Sequence, residues 1–453
     1  MSATTSDDIR ATVTDLLPAL RQDLEDLVRI ESVSADPARF AEVHKSAEAV
    51  AALFRAENFA SVDIVSTDGG LPAVIAHKPG PAGAPTVLLS AHHDVQPENE
   101  HADWDSPPFE PTERDSSSGR RLFARGAADD KAGIAAHLGA LRVFGDDLPV
   151  SVTMFIEGEE EVGSDTLPAL LKEHQEALRA DVIVIADSGN WDIGEPALTT
   201  SLRGLVRVDV EVRTLTHAVH SGMWGGLVPD ALIALSRLIA SLHDDAGDVA
   251  VQGLHSGPAA DVVYPEERLL AESGVQPGVD FIGSGSVVER LWTKPSLSVT
   301  GLDAPKVAGA SNTLVPAARA KISMRIAPGD TTESAEAALR RHLEQHVPWG
   351  AQLTITTVDT GEATQIDATG PAYDAARAAF AEAWDGTEPV DMGVGGSIPF
   401  IAEFLEAFPE ASVLVTGVED PDTRAHGANE GLHLEEFAKV VLAEAFLLRN
   451  LGA

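Results

Sequence analysis

Residues 85–97 read PTVLLSAHHDVQP. A proline opens a short apolar run, and the run ends on two histidines and an aspartate. A strand that is apolar at every position is buried on both faces, the habit of a parallel sheet covered by helices. The pattern recurs along the chain. VSVTMFIEG (150–158) runs into Glu159, Glu160 and Glu161, DVIVIADSG (181–189) carries Asp187, and ASVLVTGV (411–418) leads into a loop with His426. In open α/β sheets ligands bind beyond the carboxyl ends of the strands. These imidazoles and carboxylates are therefore expected along one sheet edge.

The segments between the strands have a helical period. DDIRATVTDLLPALRQDLEDLVRI and a second stretch from Arg39 to Phe54 precede the first strand, and KAGIAAHLGALRVF (131–144) and TLPALLKEHQEAL follow later ones. From Arg203 the pattern changes. LVRVDVEVRT and AKISMRIAP (320–328) alternate apolar and polar residues, TITTVDT (354–360) is rich in β-formers, and helices read at 229–245 and 332–347. From Tyr373 the first pattern resumes and closes on LEEFAKVVLAEAFLLRNL. The expected fold is α/β, with a mainly parallel sheet flanked by helices in residues 1–201 and 365–453. Residues 202–364 are expected to form a smaller inserted α+β domain.

The 453 residues have the apolar and charged fractions of a globular protein, 44% and 23%. With 32 basic and 71 acidic residues, the formal net charge is −39. Such a field disfavours nucleic acid and anionic membranes as partners. Apolar runs are too short to span a bilayer, and MSATTSDDIR has neither basic start nor apolar core, so cytoplasm is the expected location. With no cysteine, disulfides and thiolate metal sites are excluded.

An acidic run such as Glu159–Glu161 at a ligand-binding edge repels itself unless cations sit among the carboxylates. Mixed imidazole and carboxylate donors suit zinc, with manganese or cobalt as alternatives. Singly each signal is weak, since an Asp closing a strand is commonly a helix cap. Their combination, in order and at strand ends, carries the inference. His77, His137 and His243 read as packing or surface residues.

The chain resembles the M20 metallopeptidase group, which includes carnosinase-like dipeptidases, carboxypeptidase G-type enzymes and N-acyl amino acid deacylases. The matching stretches are LLSAHHDVQP (88–97), DWDSPPFEP (103–111), LFARGAADDKAG (122–133), IEGEEEVGS (156–164), VIVIADSG (182–189), VHSGMWGG (219–226), NTLVPAARAKISMRIAP (312–328), GGSIP (395–399) and AHGANE (425–430). The HSG and GGSIP segments point to the dipeptidase branch. The resemblance implies two divalent metal ions, zinc being the one expected, with Asp129 bridging them. His92 and Asp187 complete one site, and Glu161 and His426 the other. It implies Glu160 as the general base toward a metal-bound hydroxide, and Asp94 as the residue that orients a ligand. His220 is implied to stabilise the oxyanion in a partner subunit's site, which makes a homodimer through the inserted domain the expected state. His217, three residues earlier, matches no role. Arg325 is implied to hold the substrate carboxylate, with Ser397, Thr313 and Asn312 as further substrate contacts.

There are departures from the family pattern. Ala91 and Ala132 stand where glycine is common, small for small, and the glutamate usual before GGSIP is absent from DMGVGGSIP. The substrate expected is a dipeptide, cut without a covalent intermediate. The alternative is deacylation of an N-acyl amino acid, which shares every metal ligand. A silent relative is disfavoured because Glu160, His220 and all five ligands are present. A calcium-binding or nucleic-acid-mimicking protein explains the charge but not the ordered motifs.

Overall fold

The computed structural model describes residues 5–258, 261–396 and 399–453. The chain divides into two compact units. The first holds residues up to Thr200, Ile366–Met392 and Pro399–Ala453; the second holds Ser201–Gln365 and a return segment beginning at Gly393. That return segment lies outside the inserted stretch read from the sequence. Arg203 explains its placement: its backbone N–H donates to Val394 O at 3.1 Å and its Nε to Gly395 O at 3.3 Å.

In the first unit, strands Ser151–Glu157, Thr86–His92, Val182–Ile185 and Ser412–Val415 lie side by side and parallel. The sheet is mixed, because its flanks are antiparallel: Ala73–Lys78 pairs with Ser151–Glu157, and Ser61–Val65 with Ala73–Lys78. On the far side Ala197–Leu202 meets Ser412–Val415 antiparallel at Val415 and Thr199. Ala73–Lys78 is buried at five of its six positions, much as the central strands are, so its antiparallel direction is set by its pairing and not by its composition. Val87, Leu88 and Leu89 are fully buried, each stabilising the fold by about 1.5–3 kcal/mol. The helix Lys131–Phe144 packs against the helices Ser6–Val28 and Leu434–Leu451. Its residues from Lys131 to Leu141 are all buried, which accounts for its lack of a polar face. A small antiparallel sheet of Thr112–Ser116, Gly119–Phe123 and Gly431–His433 brings the chain before Asp129 against the chain after His426.

The second unit is an antiparallel sheet in the order Ser296–Asp303, Ala317–Ile326, Gly204–Arg213, Gln352–Gly361. Alternation sorts its faces. Val206, Val208, Val210, Val212, Ile322 and Met324 pack with Leu235, Leu238, Leu339 and Leu343, which come from the helices Ala231–Ala240 and Thr332–His346. Arg207, Asp209 and Glu211 fall between the buried valines. A two-residue ribbon pairs Val219–His220 with Thr313–Leu314.

Candidate metal centre

The parallel register sets the strand ends level: His92 stands opposite Glu157, and Ser90 opposite Ile185, itself paired with Val415. Side chains just past these positions converge. His92 Nε2 lies 3.1 Å from Asp129 Oδ1 and 3.9 Å from Asp187 Oδ1. His426 Nε2 lies 3.0 Å from Asp129 Oδ2 and 3.4 Å from Glu161 Oε2. Donor atoms of His92, Glu160 and Asp187 fall within 4.8 Å of one another, as do those of His92, Asp129 and Glu161. Asp129 thus faces both imidazoles, one with each oxygen.

Asp94 sits behind this cluster and is fully buried. Its carboxylate faces His92 Nδ1 at 3.4 Å and accepts the backbone N–H groups of Glu160 and Glu161 at 3.3 and 3.1 Å. His92 Nδ1 is also 3.1 Å from Asp94 O, so Nδ1 carries the proton and Nε2 turns its lone pair to the cluster. Gln96 holds Glu161 from the same loop, its N–H and Nε2 donating at 3.1 and 2.8 Å.

Burial and mutual repulsion shift the titration of these groups. Burial, then the charge of Asp129, pushes the Glu161 carboxyl up to about 8. Burial pushes Asp187 up to about 6, and burial with Asp187 drives Glu160 well above the carboxylate range. Burial opposes a charge on His92, but Asp129 and Asp94 outweigh it and hold the imidazole well above its ordinary value. Hydrogen bonding to Asp129 raises His426 to about 8. These shifts describe carboxylates in need of positive charge. The donors are imidazole nitrogens and carboxylate oxygens, with His92 held in the tautomer that frees Nε2, and they fit a pair of divalent cations.

Glu159 requires a correction. Of the three consecutive acids, only Glu160 and Glu161 join the cluster. Glu159 accepts Leu71 N–H at 3.0 Å and Thr166 N–H at 2.9 Å and acts as a brace. The sequence reading also missed Asp130, whose Oδ2 accepts His92 N–H at 3.2 Å. It missed Lys131 as well, which is buried and donates to Leu27 O and Ile30 O at 2.9 and 2.8 Å. Both adjoin Asp129 in the quoted ADDK run, which was the available signal. His137 is a buried packing residue, with Nδ1 2.8 Å from the Glu444 carboxylate.

His220, Thr313 and Asn312 come together in the second unit. His220 pairs with Thr313, and Ser221 N–H donates to Asn312 O at 2.9 Å. His220 Nδ1 accepts Gly222 N–H at 3.1 Å, which assigns the ring proton to Nε2 on an exposed imidazole. His217, also exposed, contacts Thr216. Arg325 is half-buried, and burial with the neighbouring Arg207 lowers its pKa. Arg203 was not anticipated. It is buried, its Nη1 donates to Ser296 Oγ at 3.1 Å, and burial with Arg325 lowers it to about 10. Ser397 lies outside the described residues.

The sequence profile of Peptidase family M20/M25/M40 matches residues 88–450. The chain is 35% identical to the cysteinylglycine-S-conjugate dipeptidase of Corynebacterium striatum over 84% of each chain. It is 30% identical to the human Beta-Ala-His dipeptidase, over 80% of this chain and 74% of that one. Among solved structures, Dug1p from Saccharomyces cerevisiae superposes with a TM-score of 0.82 at 23% identity, covering 99% of both chains. Human carnosine dipeptidase 1 follows at 0.80 and 25% identity, again covering 99% of both. The chain therefore belongs to peptidase family M20/M25/M40 and is a hydrolase.

Proposed function

We propose that this hydrolase is a dinuclear metal-dependent dipeptidase. The observation that carries the reading is Asp129 placed between His92 and His426, with Asp187, Glu161 and Glu160 around it. The relatives at 30% identity or more named above are both dipeptidases, which disfavours the N-acyl amino acid deacylase alternative. His92, Asp129 and Asp187 would hold one cation, and Asp129, Glu161 and His426 the other. The expected metal is zinc, with manganese or cobalt able to serve. Two cations so held supply Lewis acidity toward the scissile carbonyl and toward water.

The chain's own groups then divide the remaining work. The Glu160 carboxylate would take a proton from the attacking water and return it to the leaving amine, its donor atoms lying beside those of His92 and Asp187. Asp94 holds the Glu160 and Glu161 backbone and the His92 ring. His220, protonated on Nε2, would donate to the oxyanion in a second copy's active site. Arg325 would receive the C-terminal carboxylate of the substrate, and Thr313, Asn312 and Ser397 would contact its backbone. The cytoplasm remains the expected location, and no helix among the described residues is long and apolar enough to cross a membrane.

The test is hydrolysis of a panel by metal-free protein titrated with zinc or manganese. The panel sets Cys-Gly, β-Ala-His and plain dipeptides beside N-acetyl and N-succinyl amino acids. Dipeptide turnover should rise toward two metals per chain. Glu160→Gln should lower kcat by about 10²- to 10⁴-fold with metal content unchanged. Faster turnover of the acyl compounds would replace the dipeptidase reading with the deacylase one.

A further inference from the structure

Glu430 ends the AHGANE motif and is fully buried. Its Oε1 accepts the backbone N–H groups of Ala128 and Asp129 at 2.9 and 3.1 Å. Its Oε2 accepts Gly126 N–H at 3.0 Å and Arg125 Nη1 at 2.7 Å. Ala124 N–H closes on the Glu430 carbonyl at 3.1 Å. Residues 125–129 therefore wrap one carboxylate in the way backbone nests hold an anion. Here the anion belongs to the chain itself.

Arg125 extends the network. Its Nη2 donates to Pro97 O at 3.3 Å and to Gly427 O at 3.2 Å. Pro97 follows Gln96, the residue that holds Glu161. Gly427 follows His426, whose φ of 62° lies in the left-handed region, so that loop needs outside support to keep its conformation. One buried ion pair thus joins the segments that carry Asp129 and His426 to the Gln96–Pro97 segment, which in turn holds Glu161.

We propose that Glu430 is a positioning residue for the metal centre, setting the Asp129 backbone directly and the His426 loop through Arg125. The inference rests on the dinuclear reading above. Glutamine has the same shape, yet its NH₂ group would have to face donors on whichever side it took. The substitution breaks the nest and leaves Arg125 buried without its counter-charge.

The experiment titrates metal-free wild type, Glu430→Gln and Glu444→Gln with Co²⁺ against a chelating indicator, recording the visible spectrum of the bound cobalt. Glu444 is the control, a buried partner of His137 between two helices. Glu430→Gln should bind cobalt about 10- to 100-fold more weakly with an altered spectrum. Glu444→Gln should melt at lower temperature with the affinity and spectrum of the wild type. Glu430→Gln matching the wild type in both, or weakening no more than the control, would overturn the proposal. A wild type that takes up no cobalt would sink the dinuclear reading, and this inference with it. Should Glu430→Gln not fold, Arg125→Lys carries the test. It keeps the charge beside Glu430 but cannot span Pro97 and Gly427, so an unchanged affinity and spectrum there would equally refute the role.

Discussion

Glu157 stands opposite His92 in the parallel pair. Burial, backed by Asp94 and Glu159 and opposed by Ser164, pushes its carboxyl from 4.5 up to about 8. Between those values the folded group keeps a proton that the unfolded chain has released. Stability therefore falls as pH rises through that window, by up to about 1.4 kcal/mol per unit. Glu157→Gln removes the titrating group and keeps the volume. Thermal melts of metal-free protein should show the variant more stable than the wild type at pH 8 and close to it at pH 5. Parallel curves at the two pH values would refute this. At this scale strand pattern and charge alone could not distinguish Glu159 from its two neighbours; the family resemblance singled out Glu160 and Glu161. All three follow one strand, and only the turn Glu160–Val162 decides which reach the cluster around His92 and Asp129.

At the scale of elements, the level ends of the parallel strands present the cluster, and one glycine keeps two of them close. A Cβ at Gly417 would lie 1.7 Å from Ser188 O. Backbone there cannot yield without parting the chain after Ser412–Val415 from the loop that carries Asp187. Gly417→Ala should destabilise the protein by about 1–3 kcal/mol and weaken metal binding as Asp187 is displaced. Chemical denaturation beside cobalt titration measures both, and unchanged cobalt affinity would show that Asp187 tolerates the shift. The apolar strands and the long helices were legible because burial on both faces, or on one stripe, writes a local period into the chain. The strands Thr112–Ser116 and Gly119–Phe123 were not, since TERDS and GRRLF carry no apolar run.

For the molecule as a whole, a net charge of −39 sets copies of the chain to repel one another. Association then needs apolar surface, and the second unit exposes it. Met223, Leu227 and Ile233 are 74%, 80% and 54% exposed, with Trp224 and Trp349 about half so, at 49% and 59%. Leu227, Ile233 and Trp349 line one hollow together with Leu314. Exposed apolar residues gathered like this mark an interaction surface, and it adjoins the turn that carries His220. On the proposed pairing of two copies, the wild type should be a dimer by light scattering and Leu227→Asp a monomer, with metal content unchanged and turnover lost. A monomeric variant that keeps its turnover would remove His220 from a partner's active site.

The sequence alone determined the order of the central strands and long helices and the residue types at the ends of those strands, because both are written in periods of a few residues. Tertiary structure decided the rest. It set the direction of the flanking strands, which depends on pairing and not on composition. It turned two of three consecutive glutamates toward the metal-ligand cluster and buried the third against Leu71 and Thr166. It also joined Arg125 to Glu430 across 305 residues of chain, because a buried charge takes whatever partner the fold brings to it.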